Sequence, residues 1–343
     1  MKKKTKDTVY LRQTRRQGYT VMNETQEQNP DNVGRNSRKP TPKKRWWLIA
    51  VAVPALILLV FSAVNLAQYV ASYLSSRATS KELQAAYHTL IEMEEIAASL
   101  QPEQSESAAP LPSSVPLPTS MPKLVLDAQN YTSNPRLQIS SRFKKLQDTN
   151  KDIIGWLNIP GTLDEAVVQR NNTYYLKRDY KGYHNSNGAL FLDENCNLKT
   201  RPYTFLIYGH NMKTGAMFGC LHKYDSLTYY KNNPWITFDT VYEAGRYIVF
   251  SAGSMSTEKG RKNYLDFSLL NSNTISYREK GLEALQKLSV FSGYIDVRPD
   301  DQLLLLVTCS GDETERRFVA ARRVREGEDE NNLLYDVNRA WKK

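Results

Sequence analysis

The residues with the clearest chemical potential lie near the C-terminus, where the aliphatic run LLLLVTC ends at Cys309 and arginines follow closely. A cysteine thiol has an ordinary pKa of about 8.5, and a nearby positive charge lowers that pKa and favours the nucleophilic thiolate. If residues 310–316 form a turn, the strand that begins near Arg317 returns beside the first and brings a guanidinium next to position 309. The pattern indicates a nucleophile, although a lone cysteine that closes an apolar strand is also typical of a core residue.

A thiol nucleophile needs a proton partner, and the chain has four histidines, His88, His184, His210 and His222. His210 is the best candidate, because it follows the strand-like segment TFLIYG and therefore ends a strand next to a loop, as Cys309 does. The alternative is an ordinary hydrogen-bonded histidine. The other three lie on a predicted helix or in segments that read as loops or packing sites.

The two remaining cysteines, Cys196 and Cys220, lie in loop-like segments, and an odd total of three leaves at least one unpaired thiol. A disulfide between them is a minor alternative. A metal site from these cysteines with His222 and Cys309 lacks the paired C-x-x-C spacing of zinc sites, so we expect no metal. With no glycine-rich phosphate loop in the sequence, we also expect no cofactor.

Eight short segments, rich in β-branched or aromatic residues and bounded by Gly, Pro, Asn or Asp, are predicted strands. They cover residues 156–161, 166–169, 188–193, 204–210, 235–239, 247–253, 303–309 and 318–324. Many short strands favour a barrel or a sandwich. Leucines at helical spacing predict a helix over 273–291, and a weaker helical pattern lies near 143–152.

An apolar run without a charged residue covers positions 46–76 and predicts one transmembrane helix, placed at 46–68. A cleaved signal peptide is an alternative, but 45 residues precede the run, which is longer than the roughly 7–15 apolar residues of a signal sequence. A buried core helix is the other alternative. Pro54 argues against it, because proline breaks a soluble helix but is tolerated in a bilayer.

The basic residues lie mainly before the apolar run: thirteen basic and four acidic residues precede Trp46, which accounts for nine of the ten net positive charges. The segment 1–45 is rich in Gln, Asn and Thr and is predicted to be disordered. By the positive-inside rule it lies in the cytoplasm and the rest of the chain lies outside the cell membrane. Anionic lipid explains the basic residues beside the membrane, so we expect no nucleic-acid partner.

Three further segments follow the apolar run. Residues 69–100 place apolar residues at helical spacing and predict a helical stalk. Residues 101–122 are rich in proline and serine and predict an extended linker. Residues 123–343 contain all the predicted strands and form the expected catalytic domain.

Motifs within residues 140–325 resemble those of a known family. IYGHNMKTGAMFGCLHKY is similar to the histidine segment of sortases, and VTCSGDETERRFV is similar to their segment with Thr-Cys and a following arginine. Upstream, GWLNIPGT, AVVQ, YYL and GALFLD resemble, in that order, the opening strands of the class B branch. The resemblance implies a mainly β fold, a closed eight-stranded barrel with added helices, and a cysteine transpeptidase activity.

Carried over by position, the resemblance implies that Cys309 is the nucleophile and His210 the general acid and base. It implies that Arg317, just before Phe318, positions substrate and stabilises the oxyanion. Arg316 is the rival for that role, because a strand register shifted by one residue exchanges the two arginines.

The resemblance also implies substrate-binding positions at Tyr208, Asn172 and Thr308. Tyr208 is equally typical of an aromatic residue that packs in a barrel. The sequence departs from the family where Val307 replaces a serine, which removes one expected substrate hydrogen bond. The loop VVQRNNTYYL, which contains Asn172, is one residue short.

Sortases cut a secreted protein at a short C-terminal sorting signal and join the new carboxyl group to an amine. The resemblance therefore implies cleavage after a threonine, a thioester on Cys309, and transfer to an amine of peptidoglycan or its cross-bridge in a Gram-positive bacterium; a pilin lysine is the lesser acceptor. Two alternatives stay open. One is a cysteine hydrolase that releases the acyl group to water, and the other is an inactive binding module tethered to the membrane.

Overall fold

The computed structural model describes residues 46–99, 131, 133–309 and 314–343. The predicted basic tail at 1–45 and the predicted linker at 101–122 lie outside these residues. The same holds for residues 310–313 of the predicted turn after Cys309.

Within the described residues, eight of the ten strands form a closed barrel. The ten strands are β1 Ile153–Ile159, β2 Leu163–Val168, β3 Leu190–Leu192, β4 Thr204–Gly209, β5 Trp235–Thr240, β6 Arg246–Ser256, β7 Phe291–Ser292, β8 Leu303–Cys309, β9 Glu315–Arg323 and β10 Trp341–Lys342. The barrel order is β1-β2-β3-β4-β8-β9-β6-β5, and β7 pairs with β10 separately. Each of the eight predicted segments overlaps one barrel strand, so the expected barrel is confirmed and the sandwich alternative is wrong.

Strand β8 is central to the site, since it lies between the parallel neighbour β4 and the antiparallel neighbour β9. Its residues from Leu303 to Thr308 are all buried. A continuous aliphatic run is typical of a strand covered on both faces, which is why the sequence shows no polar alternation here. Replacing a buried leucine such as Leu306 with alanine is expected to cost about 2–5 kcal/mol of folding free energy.

The part of the chain that the structure describes also contains five α-helices: α1 Trp46–Ser99, α2 Ser141–Thr149, α3 Leu227–Asn232, α4 Ile275–Leu288 and α5 Glu330–Asn338. Helix α4 matches the predicted helix over 273–291 and buries Leu282 and Leu285. Its C-terminal end approaches β6 at Gly253, where a Cβ atom would lie 2.2 Å from the carbonyl oxygen of Leu288. Only glycine permits this close approach of helix to barrel.

Helix α1 contains the predicted membrane segment. Among the described residues it is the one helix long and apolar enough to cross a membrane, judged by length and composition alone, with a mean hydropathy of 2.5 in its most apolar window. It includes Pro54 and continues without interruption from the predicted membrane segment into the predicted stalk.

The C-terminal part of α1 packs against the barrel, within the compact unit Leu58–Lys343. Tyr87 stacks on Trp156 of β1 with ring centroids 4.1 Å apart and donates a hydrogen bond of 2.8 Å to Asp239. One residue further, His88 Nε2 lies 2.7 Å from the carboxylate of Asp164. Since Tyr87 is buried, this part of the helix covers barrel surface and belongs to the same compact unit as the barrel.

Candidate active site

The barrel order brings the two segments with the predicted proton partner and nucleophile side by side. Strands β4 and β8 run parallel, with Gly209 paired to Thr308. His210 directly follows Gly209, and Cys309 directly follows Thr308. The two residues therefore occupy equivalent positions at the ends of adjacent strands, at the same edge of the barrel.

The pairing of β8 with β9 assigns a partner to each arginine. Cys309 pairs with Arg316, and Thr308 pairs with Arg317. In an antiparallel pair, residues directly opposite each other share a face of the sheet. By register, then, Arg316 is the arginine opposite position 309, while Arg317 lies opposite the preceding residue.

The guanidinium of Arg317 is held by a carboxylate from another part of the chain. Its Nη1 donates to Oδ1 of Asp225, the last residue of the 3-10 helix Phe218–Asp225. Lys342 Nζ donates to the backbone oxygen of Asp225 at 3.0 Å and fixes the same turn from the C-terminus. The Arg317 side chain is largely buried, at 19% exposure, so the ion pair restrains it more than a surface pair would.

The His210 ring is positioned by backbone groups of the loop between β2 and β3. Its Nε2 lies 2.6 Å from the carbonyl oxygen of Leu176. A carbonyl oxygen only accepts, so Nε2 carries the proton and Nδ1 is the atom that gains or loses one. Gly188 packs against the ring, since a Cβ atom there would lie 2.9 Å from His210 Cδ2.

The predicted substrate-binding residues Tyr208 and Asn172 are joined through Asp193, which directly follows β3. The Asp193 carboxylate accepts hydrogen bonds from Asn172 Nδ2 at 3.0 Å and from the Tyr208 hydroxyl at 3.1 Å. Burial, with Asp193 next in importance, raises the pKa of Tyr208, so this hydroxyl stays protonated and donates. Thr308 is buried on β8, opposite Arg317.

The other two cysteines have the environment of core residues. Cys196 and Cys220 are buried free thiols, so the disulfide alternative is wrong. Burial raises the pKa of each thiol to about 12. Neither forms an appreciable thiolate near neutral pH, which leaves Cys309 as the candidate nucleophile.

Sequence reasoning missed two carboxylates of this region. Asp225 closes the segment CLHKYD and Asp193 closes GALFLD. Each is an acid at the end of a structured segment, a weak signal of function that also fits a helix or strand end. Within the described residues, no group of three or more His, Cys, Asp or Glu side chains is arranged to hold a metal ion.

Comparison with known proteins identifies the family. The family model of the sortase domain matches residues 157–324. Sortase B of Staphylococcus aureus is 29% identical over 206 residues, covering 59% of this chain and 82% of the relative. Sortase B of Listeria monocytogenes is 28% identical over 213 residues, covering 60% and 80%. Residues 157–324 are thus a sortase domain, and the chain is similar to class B sortases.

Solved structures confirm the fold of this sortase. The structure titled Staphylococcus aureus sortase B-substrate complex has a TM-score of 0.54 and 22% identity, covering 73% of this chain and 97% of that one. A structure of sortase B complexed with triglycine gives the same TM-score, 0.54, at 23% identity, covering 73% and 98%. The sortase domain and its sortase B relatives support a cysteine transpeptidase rather than an inactive binding module.

Proposed function

We propose that this sortase is anchored in the cell membrane and cleaves a C-terminal sorting signal of secreted proteins after threonine, transferring the acyl group to a cell-wall amine. One observation carries the proposal: the register of β4, β8 and β9 brings positions 210, 309 and 316–317 to one edge of the barrel. A nucleophile, a proton carrier and a cation are the groups that acyl transfer requires.

In the first step, the Cys309 thiolate attacks the carbonyl carbon of the signal threonine and forms a tetrahedral oxyanion. When the intermediate collapses, the peptide C–N bond breaks and His210 gives its proton to the leaving amine. The product is a thioester between Cys309 and the threonine carbonyl.

In the second step, an acceptor amine attacks the thioester carbonyl. His210 takes a proton from the amine, the C–S bond breaks, and the Cys309 thiolate is released with a new amide as product. Water in place of the amine gives the free acid, which is the hydrolase alternative. The cell-wall amine belongs to peptidoglycan or its cross-bridge.

Arg317 is the proposed oxyanion-stabilising and substrate-positioning group. Its fork of donors reaches a carbonyl oxygen or a signal backbone in a way that lysine does not reproduce. The ion pair with Asp225 supports this role, since it fixes the guanidinium before substrate arrives. Arg316 is the alternative, and its position opposite Cys309 favours it.

Peptide binding to this sortase is inferred from its relatives, one of which is titled a substrate complex and another a complex with triglycine. Tyr208, Asn172 and Thr308 are the proposed signal-binding residues. The hydrogen bonds of Tyr208 and Asn172 to Asp193 support the idea that they form one preorganised surface.

Membrane anchoring is proposed on the apolar part of α1, with the N-terminus in the cytoplasm and the barrel outside. This places the site where secreted proteins emerge. Protease treatment of intact cells that carry a tag at each terminus tests the orientation. We expect loss of the C-terminal tag and protection of the N-terminal tag.

The enzymatic proposal is tested with the full-length sortase in detergent, a sorting-signal peptide library and an amine. We expect a thioester adduct by mass spectrometry and an amide product, both absent in Cys309→Ala and nearly absent in His210→Ala. Cys220→Ala is the matched control and should retain activity. Comparable turnover in Cys309→Ala would overturn the assignment, and free acid as the sole product would show a hydrolase.

A further inference from the structure

A cavity of about 500 Å³ lies between α1, the β1–β2 turn and the loop after His210. It is separate from the cluster of Tyr208, Asn172 and Asp193, none of which lines it. Its walls expose polar and apolar surface in about equal measure, and three features of them indicate a ligand.

The first feature is a buried acceptor without a donor. Asn187 is only 2% exposed and lines the cavity. Among the described residues, no donor reaches its Oδ1. A buried carbonyl oxygen left without a hydrogen bond costs free energy, so this atom favours a ligand that brings an N–H group.

The second feature is the charge at the α1 side of the cavity. Arg77 and Lys81 are exposed, lie one helical turn apart and both line the cavity. Within the described part of the chain, neither forms an ion pair. The Glu165 carboxyl group lies on the barrel side and accepts from Ser80. A ligand with an anion at one end and an N–H donor at the other matches this separation of charge.

The third feature is the connection to His210, which two walls provide. Asn187 directly precedes Gly188, the residue that packs against the His210 ring. On the other side, Met217 lines the cavity and forms a β-bridge with Asn211, the residue after His210. Two wall residues of the cavity are therefore direct neighbours of residues that contact or adjoin His210, the proposed acceptor of the amine proton.

We propose that this cavity binds the amine acceptor, a peptide with a free amino group and a free carboxylate, with an N–H group of its amino end on Asn187 Oδ1 and its carboxylate toward Arg77 and Lys81. The inference rests on the proposed function, because it concerns the second substrate of the same reaction. The bound amine would attack the thioester carbonyl and lose its proton to His210, as in the second step above.

The test uses the full-length sortase in detergent with a signal peptide and triglycine, the simplest peptide with both end groups. Hydrolysis of the signal peptide is measured first without triglycine and reports the acyl-transfer machinery alone. The KM for triglycine and the ratio of amide to free acid are then measured. Binding of triglycine is followed separately by calorimetry, which needs no turnover.

For Asn187→Leu we expect unchanged hydrolysis, a KM for triglycine raised about tenfold, and a matching loss of binding, since a hydrogen bond to a charged amine is removed. For the double variant Arg77→Glu with Lys81→Glu, we expect the KM for triglycine to rise only about threefold, because exposed ion pairs are weak. The matched control is Lys280→Glu with Lys287→Glu, two exposed lysines of α4, which should change nothing.

Modified peptides assign the contacts. Triglycine amide lacks the carboxylate, so it should bind the wild-type sortase and the Arg77→Glu, Lys81→Glu variant equally well. N-acetyl-triglycine lacks the amine and should be insensitive to Asn187→Leu. Unchanged triglycine KM and binding in Asn187→Leu, with hydrolysis intact, would overturn the proposal.

Two further outcomes are informative. Loss of binding to vesicles of anionic lipid in the charge-reversal variant, with triglycine unaffected, would mean that the cations face a membrane and would also overturn the proposal. If the wild-type sortase cleaves no signal peptide, the proposed function fails, yet calorimetry with Asn187→Leu still decides whether the cavity binds triglycine.

Discussion

Arg317 and Asp225 form an ion pair between β9 and the 3-10 helix that follows the His210 loop. The two residues are 92 positions apart in the chain, and the contact joins the arginine segment to the histidine segment. Asp225 does not belong to the proposed chemistry itself. We expect it to act as a positioning residue for a guanidinium that would otherwise sample many rotamers.

Asp225→Asn is therefore expected to lower kcat for signal-peptide cleavage about tenfold, because a misplaced catalytic group loses its transition-state contact. The KM should change little, and rescue by Asp225→Glu should be partial. Steady-state kinetics of the three proteins provide the measurement. Glu330→Gln removes the exposed pair with Arg246 and is the control. Equal kcat in Asp225→Asn and the control would contradict the positioning role.

The two neighbouring arginines can be ranked by conservative substitution. We expect Arg317→Lys to lower kcat about a hundredfold, the order of magnitude for loss of an oxyanion donor, and Arg316→Lys to cost much less. Lysine keeps the charge and removes only the fork of donors. The reverse ranking would assign the oxyanion role to Arg316, the residue opposite Cys309 in the strand register.

Gly188 and Gly161 form a matched pair for testing whether Gly188 holds the His210 ring in position. Both have positive φ, 63° and 65°, so alanine strains the backbone at each by about 1 kcal/mol. Only at Gly188 does a Cβ atom meet the Tyr175 carbonyl, at 2.7 Å, and the His210 ring; at Gly161 nothing lies within 4 Å. We expect Gly188→Ala to lose most signal-peptide cleavage, measured beside urea denaturation, and Gly161→Ala to lose only stability. Similar activity in both would show that Gly188 does not position the imidazole.

The contact between α1 and the barrel is expected to weaken as pH rises. Burial raises the pKa of Glu165 to about 7 from 4.5, and neighbouring Asp164 adds to the shift, while the hydrogen bond from Ser80 opposes it. The folded state thus binds this proton more tightly than the unfolded state. The stabilisation is complete below about pH 4.5 and is lost as pH rises through about 7.

The loss can be measured by hydrogen exchange of the α1 amides from pH 5.5 to 8, a range that brackets the raised pKa of about 7. After correction for intrinsic exchange rates, weaker contact with the barrel appears as faster opening of the helix. Glu165→Gln should flatten the pH dependence, and Glu92→Gln, an exposed site on the same helix, should not. The comparison is made in a His88→Gln background, since that imidazole contacts Asp164. Arg77 and Lys81 face the same cavity and remain unchanged. If Glu165→Gln leaves the pH dependence of α1 amide exchange unchanged, the proposed role of this carboxyl group is contradicted.

The barrel strands were predictable because each carries its own local signal. LLLLVTC is apolar throughout, as expected for a strand covered on both faces, and GALFLD ends in a turn-forming acid. The order of the strands was not predictable from such signals, because pairing β4 with β8 joins segments about a hundred residues apart. The resemblance to sortases predicted a closed eight-stranded barrel, and the order of its strands is seen in the structure.

The site contacts beyond the motifs were likewise inaccessible to sequence reasoning. The carbonyl of Leu176 that holds His210 belongs to a backbone, which leaves no trace in residue type. The Arg316–Arg317 ambiguity depends on register, which shifts by one residue without changing composition. The packing of Tyr87 on Trp156 was hidden because the helical pattern of residues 69–100 also fits a free stalk.

The placement of β8 between β4 and β9 has a consequence for how this sortase acquires activity. A chain that ends before Leu303 has two unpaired edges and cannot close its cylinder. Strands β8 and β9 together fill the gap between β4 and β6, and they also carry Cys309, Arg316 and Arg317, so closure of the barrel and assembly of the proposed site depend on the same two strands.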